Sequence, residues 1–193
     1  MSQRVNTQSV NIRKLNKRTT KQGGMTFIEV LIALVIMVTG ILGAVAMQAT
    51  AKKGSFDAMQ RSLASSLGQD IVERMRSNDA TTLISYKGAN YGEALGAPVP
   101  ACNAIAGCSS ANMITNDIYE WEMALMGANV KNGTNNVGGL VEARACIDVV
   151  NNSEVTVVIT WEGRTKTKSD LYSADCSSLK GERRQVLVEA FIY

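Results

Sequence analysis

The sequence predicts an α+β chain: one long N-terminal helix, apolar enough in its first half to enter a membrane and amphipathic in its second, packed on a C-terminal antiparallel β-sheet. Three observations carry this expectation. Positions 30–47 hold eighteen residues without a charge. Beyond them Phe56, Met59, Leu63, Leu67, Ile71 and Met75 recur at spacings of three and four, the period of one helix face. Three later segments, 140–149, 154–162 and 184–192, are rich in Val, Ile or aromatic residues, which suit strands.

Residues 1–24 read as a basic leader. Arg4, Arg13, Lys14, Lys17, Arg18 and Lys21 give it six positive charges and no acid. A basic flank holds its side of an apolar span in the cytoplasm and sends the remainder across. The leader meets the apolar run at Lys21, Gln22, Gly23, Gly24, Met25, Thr26, Phe27, Ile28 and Glu29. A secretory signal peptide is cut after its apolar stretch and loses it. Here Gly24 comes first, so a cut between Gly24 and Met25 keeps the apolar helix as the new N-terminus.

As a helix, the charge-free run spans roughly 27 Å of hydrocarbon, which makes 25–50 a transmembrane half. Gly40, Gly43 and Gly54 are either points where the helix bends or small residues that let neighbouring membrane helices close up. Glu29 stands out, because a carboxylate at the edge of an apolar helix costs a few kcal/mol in lipid without a partner. A new amine on Met25 would lie one turn away, on the same chain or on a neighbour alongside, and supplies a charge pair for assembly. The plainer alternative is a first-turn glutamate that complements the helix dipole in an uncut, anchored protein.

The amphipathic half, 51–78, has a polar back of Lys52, Lys53, Asp57, Gln60, Arg61, Gln69 and Asp70. Arg74 and Arg76 suit a helix C-terminus before Ser77, Asn78 and Asp79. A loop region with a short helix follows over 79–138. Pro98, Pro100, Gly88, Gly92, Gly96 and Gly107 mark 81–110 as a surface excursion without sustained periodicity. Segment 117–125 fits a helix through Ile118, Trp121 and Leu125, capped by Thr115 or Asn116. It also fits a strand, since Tyr119, Trp121, Met123 and Leu125 alternate. The Asn- and Gly-rich 129–139 is a loop.

The sheet occupies 139–193. Asn151 and Asn152 join its first two strands as a hairpin. Val155, Val157, Ile159 and Trp161 alternate with Thr156, Val158, Thr160 and Glu162, so one face packs on the second half of the long helix. Trp121 and Trp161 read as core aromatics.

Lys and Arg number 20 against 17 Asp and Glu, a net charge of +3, but removing the six leader positives leaves 14 basic residues against 17 acidic. That balance argues against a general nucleic-acid surface. The tracts Arg164, Lys166, Lys168 and Lys180, Arg183, Arg184 read more simply as the wet face of a strand than as a basic patch. About 140 residues beyond the membrane span suffice for a single core. Cys102, Cys108, Cys146 and Cys176 all follow the span, and in an oxidising compartment they pair as disulfides, with three connectivities open. With no histidine in the chain and no Cys-x-x-Cys pair, no metal site is expected. The missing histidine also deprives a Ser or Cys nucleophile of its usual base, and no phosphate loop stands out, so the chain reads as non-enzymatic, with no cofactor.

The run Gly24, Met25, Thr26, Phe27, Ile28, Glu29, Val30, Leu31, Ile32, Ala33 resembles the class III signal of type IV prepilins and pseudopilins. Their usual Phe after the glycine is replaced by Met25, and their usual Leu by Phe27. A second stretch, Gly40 to Gly43 and then 64–78 with Gln69, Asp70, Glu73, Arg74, Met75 and Arg76, looks like the PilV family of minor pilins. Major pilins commonly carry a proline where this chain has Ala46, so a bulk filament subunit is the weaker match. The likeness covers the N-terminal third well and only the general plan beyond, where it favours the short helix over 117–125.

The resemblance implies the pilin fold and a chain that is the substrate of a prepilin peptidase, cut between Gly24 and Met25 and N-methylated on Met25. It implies that Glu29 registers the subunit against its neighbour. The protein would lie in the inner membrane as a single-pass chain with a periplasmic C-terminal domain, in contact with lipid, then join a cell-surface pilus through an assembly platform together with other major and minor pilins. Pilus biogenesis and initiation, adhesion, twitching motility and DNA uptake are the processes such minor pilins serve. The alternatives are a minor pseudopilin of type II secretion and a pilus-tip adhesin or receptor module.

Overall fold

The structure, a computed structural model, describes residues 23–96, 102, 107–164, 176 and 183–193. It divides into two units, Met1–Val45 and Ala46–Tyr193. Helix α1, Phe27–Arg76, contributes to both. It opens where the Thr26 carbonyl accepts the N–H groups of Glu29 at 3.0 Å and Val30 at 3.3 Å. Every described residue from Gly23 to Ser55 is exposed. Thr39, a hydroxyl inside the apolar run, donates back to the carbonyls of Val35 and Ile36, both at 2.9 Å. That satisfies its hydroxyl within the helix, as a lipid environment requires.

Past Ser55, α1 has an inside and an outside. Ala64, Leu67, Ile71, Val72 and Met75 are buried, close to the periodicity read from the sequence. Met59 departs from it and is 58% exposed, while Asp57 and Gln60, expected on the polar back, are buried. Partners explain the exchange, because buried polar groups persist when they are bonded. The Gln60 Oε1 accepts from the Val141 N–H at 3.0 Å, and the Asp57 carboxylate binds the Arg184 guanidinium at 2.9 Å. Gly68 sits at the close approach of helix and sheet: a Cβ there would lie 2.8 Å from Cγ2 of Val188.

α1 ends where Ser77 Oγ and Asn78 Nδ2 both donate to the Arg74 carbonyl, at 2.7 and 3.0 Å, occupying an acceptor the helix leaves open. A 3-10 turn, Ala80–Tyr86, follows, capped by Asp79, which accepts from the Thr81 N–H at 2.8 Å and its hydroxyl at 2.6 Å. Next come strand β1, Gly88–Tyr91, and helix α2, Ser110–Met126. Strands β2, Lys131–Asn132, and β3, Asn135–Asn136, form a small exposed ribbon. Strands β4, Arg144–Val150, β5, Glu154–Glu162, and β6, Arg183–Phe191, complete the chain.

The stretch 79–138 therefore holds more than a loop and one short helix. β1 belongs to the main sheet, which is antiparallel in the order β1-β4-β5-β6. α2 begins seven residues before the expected start, with Ser109 as its cap, accepting from the Asn112 N–H at 3.3 Å. Thr115 and Asn116, the caps suggested by the sequence, lie inside it: the Thr115 hydroxyl bonds back to the Ala111 carbonyl and Asn116 Nδ2 reaches Glu120. Gly127 closes the helix at φ 67°, with its N–H donating to the carbonyls of Ala124 and Met123, the left-handed cap glycine adopts without strain.

The hairpin forms as the sequence indicates. Asn151 and Asn152 both have φ 53°, and the Ser153 N–H donates to the Val150 carbonyl at 3.2 Å, the pattern of a turn that matches strand twist. The pairing runs from Arg144 with Thr160 to Val150 with Glu154. This register points Ala145, Ile147 and Val149 of β4 and Val155, Val157, Ile159 and Trp161 of β5 into one core with α1 and α2. Trp121 and Trp161 are both in that core.

Candidate functional site

The junction residues come first. Gly23 to Thr26 precede α1 without regular structure, and Met25 and Phe27 are each 80% exposed. A Cβ added at Gly24 would meet nothing within 4 Å among the described residues. Glu29 lies in the first turn of α1, exposed, and no hydrogen bond or ion pair reaches its carboxylate among the described residues. Gly24 and Met25 thus lie just before α1 and Glu29 within its first turn. α1 is long and apolar enough to cross a membrane, with a mean hydropathy of 2.7 over its best eighteen-residue window and none of that window buried.

The four cysteines are brought together in pairs. Cys102 bonds Cys108, and Cys146 on β4 bonds Cys176, with Cα separations of 5.6 and 5.4 Å. Both spacings suit a disulfide. This resolves the three connectivities that the sequence allows. Among the described residues no group of His, Cys, Asp or Glu is arranged to hold a metal ion.

A polar cluster that the sequence reading missed fastens α2 to the end of α1. The Arg74 guanidinium reaches Asp70 at 3.1 Å, Glu120 at 2.9 Å and Asp117 at 3.3 Å. Asp117 also accepts the Tyr86 hydroxyl at 2.8 Å and Asn78 Nδ2 at 3.1 Å. Burial, then the hydrogen bond to Asp117, pushes the Tyr86 hydroxyl pKa up. The hydrogen bond from Arg74 holds the Glu120 carboxyl below its ordinary value. The partners are separated by up to 46 positions, so periodicity carries no signal for them.

Beside it, the buried Glu122 accepts the Gly92 N–H at 2.8 Å, while the Gly92 carbonyl accepts from Arg144. Burial raises the Glu122 pKa against the opposing effect of that N–H. Burial also raises Tyr91 to about 12. Its hydroxyl donates to the Tyr86 carbonyl at 2.6 Å, and its ring meets Trp121 edge to face.

The two basic tracts, expected as the wet face of a strand, resolve differently, and Arg183 departs from that expectation. Arg183 is buried, and its guanidinium donates to Thr160 Oγ1 and O and to the Glu142 carbonyl. Burial and then the neighbouring Arg144 lower its pKa. Arg184 is tied to Asp57. Arg183 is thus withdrawn from solvent, Arg184 is half-buried, and Arg164 is exposed. Lys166, Lys168 and Lys180 lie outside the described residues.

A family model described as type IV pilin Tt1218 matches residues 46–119, and the prokaryotic N-terminal methylation motif matches residues 19–45. Neither a curated protein nor a solved structure matches the chain significantly. The methylation motif contains the whole junction from Lys21 to Glu29, and the pilin match begins at the residue after it stops. With the apolar N-terminal helix and its antiparallel sheet, these two adjoining matches support a type IV pilin, a structural subunit whose motif implies processing by prepilin peptidase and assembly with other pilins.

Proposed function

We propose that the chain is a minor pilin of the PilV type, a non-enzymatic structural and assembly subunit of a type IV pilus. The observation that carries this is the junction itself: Gly24, inside a methylation motif, just before an exposed apolar helix whose first turn holds Glu29, without a hydrogen bond or ion pair among the described residues. The minor rather than major reading rests on the resemblance of 64–78 and on Ala46 in place of a proline.

In this reading residues 1–24 are the leader, 25–50 the membrane half of the helix and 51–78 its amphipathic half, followed by the loop region 79–138 and the sheet 139–193. The basic leader stays cytoplasmic and the C-terminal domain faces the periplasm, anchored by a single pass of the inner membrane. Prepilin peptidase cuts between Gly24 and Met25, and the Met25 amine is methylated. Removal of the leader leaves a cationic amine within one turn of Glu29. An unpaired carboxylate at the end of an apolar helix is costly in lipid, so Glu29 favours packing beside a chain that offers such an amine. That preference registers each subunit on its neighbour as an assembly platform draws it into the filament. Pilus initiation, adhesion, twitching motility or DNA uptake follows from where the subunit is placed.

The test is deletion of the gene in the native cell, with complementation. Loss of surface pili is the expected result. Lost protein secretion with normal pili would replace the proposal with a pseudopilin, and normal pili with lost attachment would replace it with a tip receptor.

A further inference from the structure

We infer that Lys52, Lys53 and Arg164 form a cationic collar that docks on the headgroups of an anionic phospholipid surface while the chain is anchored, an inference that rests on the membrane stage proposed above. The argument begins with spacing. Residues 30–51 carry no charge, and as helix these 22 residues extend roughly 33 Å against a hydrocarbon core of about 30 Å. Lys52 and Lys53 are the first charges beyond that run. Both are exposed, and neither has a hydrogen bond or ion pair among the described residues.

One turn further along α1, Phe56 holds the third cation. The Arg164 guanidinium lies 4.1 Å from the Phe56 ring centroid, and the Arg164 N–H donates to Asp57 Oδ1 at 3.3 Å. This fixes an exposed arginine beside the two lysines. Asp57 is the sole acid on α1 between Glu29 and Asp70. It is 8% exposed and bound to Arg184 at 2.9 Å, so its charge is turned inward and already engaged. Three cations therefore gather at the end of the apolar run with no acid on α1 facing them.

Lipid phosphate is the complementary surface that this position meets. Lysine and arginine stems lie along apolar surface while their heads reach the polar layer, and each cation near an anionic bilayer contributes about a five-fold preference for it. The collar limits how deep the anchor sits, because Lys52 and Lys53 end the charge-free run.

The test uses the full chain in vesicles of phosphatidylglycerol and phosphatidylethanolamine, compared with vesicles of phosphatidylcholine alone. Insertion is followed by resistance to alkaline extraction. The collar is followed by the rate at which a water-soluble reagent acylates Lys52 and Lys53, relative to Lys131 on the exposed ribbon. The expected result is insertion in both vesicles, with Lys52 and Lys53 modified about five-fold or more slowly in the anionic one. Lys131 is unchanged, and the difference shrinks at high salt. Arg164→Gln reduces the slowing without changing insertion. Equal rates in the two vesicles with insertion intact would overturn the collar and leave the membrane reading standing, whereas failure to insert would overturn both. Slowing that tracks protein density and ignores lipid charge would overturn it in favour of a neighbouring chain.

Discussion

The indole N–H of Trp121 donates to the carbonyl of Leu67 across 2.8 Å, fastening the middle of α2 to the buried face of α1. Both residues are in the core, and Gly68, next to Leu67, gives the sheet room to approach the same turn of helix. One side chain thus ties together the two helices that bound the core.

Trp121→Phe keeps an aromatic ring in the core but removes the donor and part of the volume. A lost buried hydrogen bond together with a partial cavity costs about 1–3 kcal/mol. The expected outcome is a lower denaturant midpoint at unchanged slope, measured on the detergent-solubilised chain. An unchanged midpoint would contradict the anchoring role.

What the sequence could and could not reveal follows from the range of the interactions involved. The apolar run, the buried Leu67, Ile71 and Met75, and the Asn151–Asn152 hairpin depend on neighbours a few positions away, so periodicity and turn chemistry expose them. β1 has four residues, and its register with β4 shifts between Gly88 and Tyr91. It is a strand because β4 offers an edge, which no local pattern announces. The first turns of α2 are rich in Ser, Asn and Thr, modest helix formers, and they hold through the Ser109 cap. Asp57, Gln60 and Arg183 read as surface residues by type. Each is buried because a partner from another element satisfies it, Arg184, Val141 and Thr160 respectively. The methylation motif that spans Gly24 was legible because such a motif is linear.

Glu122 carries a pH prediction. Burial raises its pKa in the folded state, so the native chain keeps this proton at pH values where the unfolded chain has released it. Its contribution to stability is therefore present at acid pH and lost as pH rises from the ordinary glutamate value through the raised one. Glu122→Gln retains an acceptor for the Gly92 N–H and has no charge to bury. We expect it to flatten this part of the stability-versus-pH curve and to match or exceed the native protein at neutral pH. Thermal melts across a pH series check this, and an unaltered curve would contradict it.

The two disulfides differ in what they close. Cys146 and Cys176 are 30 positions apart, Cys102 and Cys108 six. Chain-entropy arguments assign about 3–4 kcal/mol to the longer loop and about 2 kcal/mol to the shorter. Paired serine replacement at 146 and 176 should therefore lower the melting temperature more than replacement at 102 and 108. The reverse order would show that the short loop is tied into the core more tightly than its length implies.

Glu29→Ala should leave leader removal largely intact while reducing the amount of protein in sheared filaments several-fold, because the carboxylate is charged with a role in packing and not in cleavage. Gly24→Val should do the opposite, blocking processing itself. Immunoblots of membrane and filament fractions separate the two. Normal amounts of the Glu29 variant in filaments would remove the assembly role.

The most direct test of the central claim is the intact mass, before and after reduction, of this protein recovered from sheared surface filaments of the native cell. The account predicts one species that begins at methylated Met25 and gains four hydrogens on reduction, joining processing, export, two disulfides and filament membership in a single reading. An uncut chain beginning at Met1 would contradict it.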